Sequence, residues 1–180
     1  MYHYYPTRLA SGILNKGEWI WKPQKWFYCD GCGLYHGNRH IPKEFWNKKW
    51  KKGKSSAGVI LTRYNPFKKE KEFFVVQSYH NLYSFPKGTV EPFETIREAA
   101  SRELWEETGI KNSLEGCYQY KHYIGNKSKT FFLLNVNYST HDKCTPLNNT
   151  PEITSWGWIS SKNIHLLPLN KITKDILNKI

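Results

Sequence analysis

Gly88-Thr-Val-Glu-Pro-Phe-Glu94-Thr-Ile-Arg-Glu-Ala-Ala-Ser-Arg102-Glu103-Leu104-Trp-Glu106-Glu107-Thr-Gly109-Ile110 reads as a loop, a helix and a stop. Thr95 followed three residues later by Glu98 is a capping-box start. Ala99, Ala100, Arg102, Glu103, Leu104, Glu106 and Glu107 are mostly good helix formers. Gly109 stands where a left-handed residue would end the helix. At about 100° per residue, Ile96, Ala100, Glu103 and Glu107 fall near one inward line.

An ordinary amphipathic helix would continue that line with apolar residues. Here it turns to carboxylates in the last two turns, with Glu106 beside them and Arg102 flanking. Carboxylates three and four residues apart repel unless a cation neutralises them. Their hard oxygens suit Mg²⁺ or Mn²⁺, and Mg²⁺ commonly bridges to substrate phosphates. The plain alternative is an acidic helix end bathed in solvent. The fixed offsets of Gly88, Glu94, Arg102 and Gly109 argue against it.

Those offsets run Gly, five residues, Glu, seven residues, then Arg-Glu-aliphatic-x-Glu-Glu-x-Gly-aliphatic, with Leu104 and Ile110 in the aliphatic slots. The pattern resembles the signature of the Nudix hydrolases at nine positions over 23 residues. The resemblance implies a loop-helix-loop that binds Mg²⁺ or Mn²⁺ through Glu103, Glu106 and Glu107, one of which also serves as base. It implies that the Gly88 carbonyl joins the metal shell and that Glu94 and Arg102 hold loop to helix. The implied reaction is attack of water on a diphosphate linked to another group. The implied fold is α/β, an αβα sandwich with a mixed sheet. Glu103 and Glu107 are the catalytic candidates within the helix.

Two further stretches bear on the substrate. Ser84-Phe85-Pro86-Lys87-Gly88 resembles the loop leading into this motif in mRNA-decapping members, where the lysine reaches phosphate; related Pro-Lys-Gly sequences occur in diadenosine-polyphosphate hydrolases. Pro151-Glu152-Ile153 through Trp156 and Trp158 resembles the decapping region in which a glutamate approaches the metals. Glu152 is thereby a candidate base, with Glu107 its rival, and Lys87 a candidate phosphate ligand. The reading that follows is a decapping pyrophosphatase acting on capped RNA, in the cytoplasm, and in the host cytoplasm if the source is a large DNA virus. The alternatives are a hydrolase of dinucleoside polyphosphates, nucleotides or diphosphoinositol polyphosphates, and a non-catalytic Nudix-fold RNA-binding module.

The chain has 180 residues, 39% of them hydrophobic, and a formal net charge of +12. No apolar run approaches the ~20 residues that span a bilayer. The first residues lack the apolar core of a signal peptide, so reduced thiols or a metal are expected of Cys29, Cys32, Cys117 and Cys144.

Residues 1–54 differ in character from 55–180. They hold eleven Lys/Arg against three acids, eight of the twelve net positive charges, and five of the eight Trp. Such interleaving suits single-stranded nucleic acid through charge and stacking. A small aromatic core docked on the main domain would use the same residues. Within this basic, Trp-rich segment, Cys29-Asp-Gly-Cys32-Gly with His36 and His40 has the turn of a zinc knuckle. Structural Zn²⁺, with Cys117 or Cys144 as other completing ligands, and free, partly buried thiols are both compatible with it. Gly53-Lys54-Ser55 is no phosphate loop, because Lys48 stands where a Gly is required.

From Ser55 the pattern predicts strands at Ala57–Arg63, Glu72–Gln77, Glu115–Ile124, Thr130–Val136 and Ile153–Ile159. A short extended piece is expected at Tyr83–Phe85. A basic turn is expected over 125–129, a polar loop over 141–150, and a turn at Asn163–Leu167. A C-terminal helix is expected at Leu169–Ile180, with Ile172, Ile176 and Leu177 on one face.

Overall fold

The computed structural model describes residues 13–15, 18–20, 26–37, 55–78, 81–124, 127–138, 144–147 and 153–180. In chain order the strands are β1 (Ile13–Asn15), β2 (Glu18–Ile20), β3 (Trp26–Cys29), β4 (Leu34–Gly37), β5 (Ser56–Asn65), β6 (Glu70–Ser78), β7 (Tyr83–Ser84) and β8 (Lys87–Thr89). Helix α1 (Ile96–Thr108) follows, then β9 (Tyr118–Ile124), β10 (Lys127–Val136), β11 (Ile153–Ser160), a 3₁₀ turn (Ile164–Leu166) and α2 (Lys171–Leu177).

β1 and β2 pair with each other. The other strands form one mixed sheet in the order β3-β4-β11-β6-β5-β10-β9, with β7 on β6 and β8 on β5. Among the described strands only β10 runs parallel to its neighbour, β5. β5 is buried along nearly its whole length. That matches the unbroken apolar run Ala57–Leu61, as expected of a strand covered on both sides.

Alternating residues divide between two cores. Val59, Leu61, Phe74, Val76, Phe132 and Trp156 meet Ala100 and Leu104 of α1. Ile60, Phe73, Val75 and Phe131 face the other way, towards Ile164 and Ile176. The result is helix, sheet, helix, the α/β sandwich that the motif implied. Fully burying a side chain such as Leu104 contributes about 2 kcal/mol.

β5 and β6 pair only near their shared turn, from Thr62↔Phe73 to Asn65↔Glu70. Beyond it they separate, and β7 and β8 fill the gap, β8 on Ser56–Gly58 and β7 on Val76–Gln77. Gly58 permits the approach, because a Cβ there would lie 2.4 Å from the Pro86 carbonyl oxygen. The wedge carries the chain directly into the loop before α1.

Several boundaries differ from the sequence reading. β9 begins at Tyr118, because Leu114 and Gly116 adopt positive φ of 58° and 73° and break the extended geometry. Lys127–Lys129, expected in a turn, belong to β10 and pair with His122–Ile124. Leu169 bridges Tyr83, so α2 starts only at Lys171. Asn170 caps it, accepting from the Thr173 N–H at 2.8 Å. The hairpin β3–β4 extends the domain sheet at β11, where Tyr35 and His36 pair with Trp156 and Ser155.

Candidate active site

Helix α1 is built as its sequence suggests at both ends. Thr95 and Glu98 make the reciprocal capping box, and Gly109 takes φ 75° with its N–H on the Trp105 carbonyl. The last turn is tied down further. The Thr145 N–H donates to the Thr108 carbonyl at 3.0 Å, and the Leu147 N–H to the Glu106 carbonyl at 2.9 Å. Helix-end carbonyls that lack an intrahelical partner are satisfied in this way.

The buried stripe of α1 is Ala99, Ala100, Leu104 and Thr108. Ile96, expected on the inward line, is exposed instead. The core line passes through Leu104, one position beyond Glu103. Glu103 and Glu107 therefore border the core rather than enter it. Both turn towards β8.

Gly88 is where β8 receives them. A Cβ on Gly88 would lie 1.9 Å from Glu103 Oε1, so a residue without a side chain is required there. One position earlier, the Lys87 N–H donates to Glu107 Oε2 at 2.9 Å. Gly88, Glu103 and Glu107 are thus brought together by the β8–α1 contact.

Arg102 organises the other side. Its Nε donates to Glu94 Oε1 at 2.8 Å, and a second guanidinium nitrogen donates to Glu94 Oε2 at 3.1 Å. It also reaches Glu103 Oε1 at 2.6 Å, Glu106 Oε2 at 3.3 Å and the Thr89 carbonyl at 3.1 Å. One guanidinium therefore ties the loop, β8 and two turns of helix. The fork on Glu94 raises the Arg102 pKa above its ordinary value, with Glu103 adding to it. The same hydrogen bonds hold the Glu94 carboxyl below the usual carboxylate range. Glu94 and Arg102 thus stand where a clasp between loop and helix is needed.

The donor chemistry fits a hard divalent cation. Glu103, Glu106 and Glu107 supply carboxylate oxygens from adjoining positions of one helix beside a side-chain-free backbone at Gly88, but the three are not gathered within 4.8 Å of one another, so a bound cation would have to draw them together. Glu103 and Glu106, sharing Arg102, are 13% and 29% exposed, so both are reachable without being fully solvated. Glu152 and His40 lie outside the described residues.

A feature missed in the sequence is a lysine cluster. Burial lowers the Lys129 pKa, and the charges of Lys87 and Lys127 lower it further. Lys87 is opposite Gly58 on one edge of β5, and Lys129 is opposite Ser56 on the other. The sequence signal was the run Lys127-Ser-Lys129, which looked like a solvated turn; strand pairing across β5 brings it to Lys87. On β9, Tyr118 and Tyr120 lie edge to face at 4.8 Å, and Tyr118 is exposed.

The model of the NUDIX domain family matches residues 54–180. The chain belongs to the Nudix family. The protein 111R of Invertebrate iridescent virus 3, named as a hydrolase, is 27% identical over 62% of this chain and 70% of its own length. Phosphatase NudJ of Escherichia coli K12 is 31% identical over 53% of this chain, which spans 64% of that relative. Among solved structures, a Caenorhabditis elegans Ap4A hydrolase in a binary complex superposes with a TM-score of 0.56 at 23% identity, covering 71% of this chain and 94% of its own. The NUDIX domain of Shewanella oneidensis NrtR, complexed with ADP ribose, gives a TM-score of 0.56 at 13% identity, covering 78% and 96%. These last two likenesses show the fold. Among the described residues no helix is long and apolar enough to cross a membrane.

Proposed function

We propose that the protein is a divalent-cation-dependent pyrophosphohydrolase whose substrate is the 5′ cap of RNA. Water adds to one phosphorus of the diphosphate, and the bridging oxygen leaves with the other. The products are a (methyl)guanosine diphosphate and RNA with a 5′-monophosphate. A bound Mg²⁺ or Mn²⁺ would neutralise phosphate charge and make water more acidic. Glu103, Glu106 and Glu107 hold that cation, with the Gly88 carbonyl beside them. Glu107, oriented by the Lys87 amide, or Glu152 takes the proton of the attacking water.

The observation that carries the reading is the β8–α1 contact: Gly88 receives Glu103 and the Lys87 N–H holds Glu107 Oε2 at 2.9 Å, on the strand that also carries the Lys87 charge felt at Lys129. A lysine such as Lys129, whose protonation is depressed by burial and by neighbouring positive charge, is relieved by a polyphosphate laid against it. The eight net charges of residues 1–54 suit the RNA body beyond the cap. A dinucleoside polyphosphate would use the same lysines, and Pro86-Lys87-Gly88 suits it equally.

The test offers RNA labelled in the cap phosphate and diadenosine tetraphosphate to the protein with Mg²⁺ or Mn²⁺, with Glu107→Gln as control. Labelled guanosine diphosphate released from RNA, and lost in the control, is the expected result. RNA binding should weaken steeply with salt. Turnover of the dinucleotide with intact caps would replace RNA by a small-molecule substrate. RNA binding without hydrolysis of either would leave a binding module.

A further inference from the structure

We propose that Cys29, Cys32 and His36 hold a structural zinc ion on the β3–β4 hairpin, on the sheet face opposite the catalytic helix. Their ligand atoms all lie within 4.8 Å of one another, the one such trio of potential metal ligands among the described residues. Cys32 Sγ and His36 Nε2 are 3.0 Å apart. Zn–S bonds of about 2.3 Å and Zn–N bonds of about 2.0 Å place tetrahedral ligand atoms roughly 3.3–3.8 Å apart, so the trio needs only small adjustment. None of the four cysteines is in a disulfide, and Cys29 and Cys32 are part-buried.

The backbone is shaped for the same purpose. The Gly33 N–H donates to the Cys29 carbonyl at 2.7 Å, and Gly33 takes φ 72°. That closes the Cys-x-x-Cys turn and brings both sulfurs to one side. Two residues further along β4 from buried Leu34, His36 returns its ring to Cys32. Soft thiolates with imidazole select zinc over the magnesium that suits the α1 carboxylates.

Position decides the role. Leu34 and Cys32 pack with Ile60, Phe85 and Ile176, the core on the α2 side, whereas α1 lies across the sheet. The zinc therefore takes no part in the hydrolysis. The hairpin has strands of only four residues and meets β11 at two register pairs. Such a hairpin is marginal by itself. A metal joining its turn to its second strand would fix it against β11, where Leu34 comes close to Gly157.

The test is metal analysis of the full chain purified from zinc-containing medium, with Cys29→Ser, Cys32→Ser and Cys117→Ser as variants. One zinc per chain is expected in the unchanged protein and in Cys117→Ser, falling to background in the other two. Cobalt added to chelator-stripped unchanged protein should give thiolate-to-cobalt charge-transfer absorption and intense tetrahedral bands. That reading does not depend on whether the serine variants fold. Cys32→His, which keeps a ligand, should retain more zinc than Cys32→Ser. Absence of both zinc and cobalt–thiolate absorption would overturn the site. So would zinc that survives both serine substitutions, or a Cys29–Cys32 disulfide in the protein as isolated.

Discussion

Arg63 and Arg102 each hold a glutamate at 2.8 Å, yet their surroundings differ in charge. Near the β5–β6 turn, Glu72 receives Arg63, Lys68 and the Asn65 amide. Arg63 is also sandwiched by Trp158 and Tyr138 at 4.3 and 4.4 Å. Two cations and a neutral donor serve one buried carboxylate. Along α1, one arginine is shared among Glu94, Glu103 and Glu106. The first cluster fastens a turn. The second gathers negative charge more densely than the fastening of a loop requires, which is what binding a divalent cation demands.

The sharpest way to break this contrast is to neutralise Glu72 in the first cluster and Glu107, the neighbour of Glu103 and Glu106 on α1, beside the second. Glu107→Gln should lower hydrolysis by about 10³-fold with little change in melting temperature, because it removes one of the proposed cation ligands. Glu72→Gln should do the reverse. It leaves the buried Arg63 without its counter-charge, at a cost of about 3 kcal/mol, while activity below the transition stays near that of the unchanged protein. Thermal unfolding and initial rates on both variants check this. A folded Glu72→Gln that is as inactive as Glu107→Gln would erase the distinction.

Two glycines sharpen it by geometry. Gly88→Ala puts a methyl group into the Glu103 carboxylate, so rates should fall about 100-fold as that ligand is displaced. Gly116→Ala meets nothing within 4 Å and carries only the strain of its φ of 73°. Its cost should be about 1 kcal/mol of stability with rates unchanged. Equal losses of rate in the two variants would show that Gly88 matters only for the backbone.

These residues were not equally legible from sequence. The cap at Thr95, the stop at Gly109 and the Glu94–Arg102 clasp depend on neighbours a few residues away. Spacing alone therefore revealed the cap and the stop, and the resemblance to the Nudix signature implied the clasp. The wedge of β7 and β8 between β5 and β6 was invisible, because it depends on strands pairing along half their length. Ile96 was misplaced because a helical wheel gives angles but not how far the sheet extends beneath the first turn. The lysine cluster joins Lys87 to Lys129 across β5, and the β3–β4 hairpin meets β11 across more than a hundred residues of chain. No local pattern reports such pairings. The roles expected of Glu152 and His40 rest on the sequence, since both lie outside the described residues.

Arg102→Lys should cost about 1 kcal/mol and a several-fold loss of rate. An ammonium replaces the fork on Glu94 by a single contact. Acid should then distinguish the two proteins in a defined window. Glu94 has a lowered pKa in the folded chain, first through its hydrogen bonds to Arg102. The unfolded chain therefore takes up a proton at Glu94 before the folded one does. The clasp's stabilisation is complete above the ordinary glutamate range, near pH 4.3, and is lost as pH falls through the lowered folded value. With lysine at position 102 the folded value rises towards the ordinary one, so less stability remains to be lost. Denaturant unfolding from pH 6 downward should show the unchanged protein losing more stability than Arg102→Lys. Parallel curves would mean that Arg102 acts on the α1 carboxylates rather than on Glu94, and that the clasp is maintained by the Thr89 carbonyl and the helix alone.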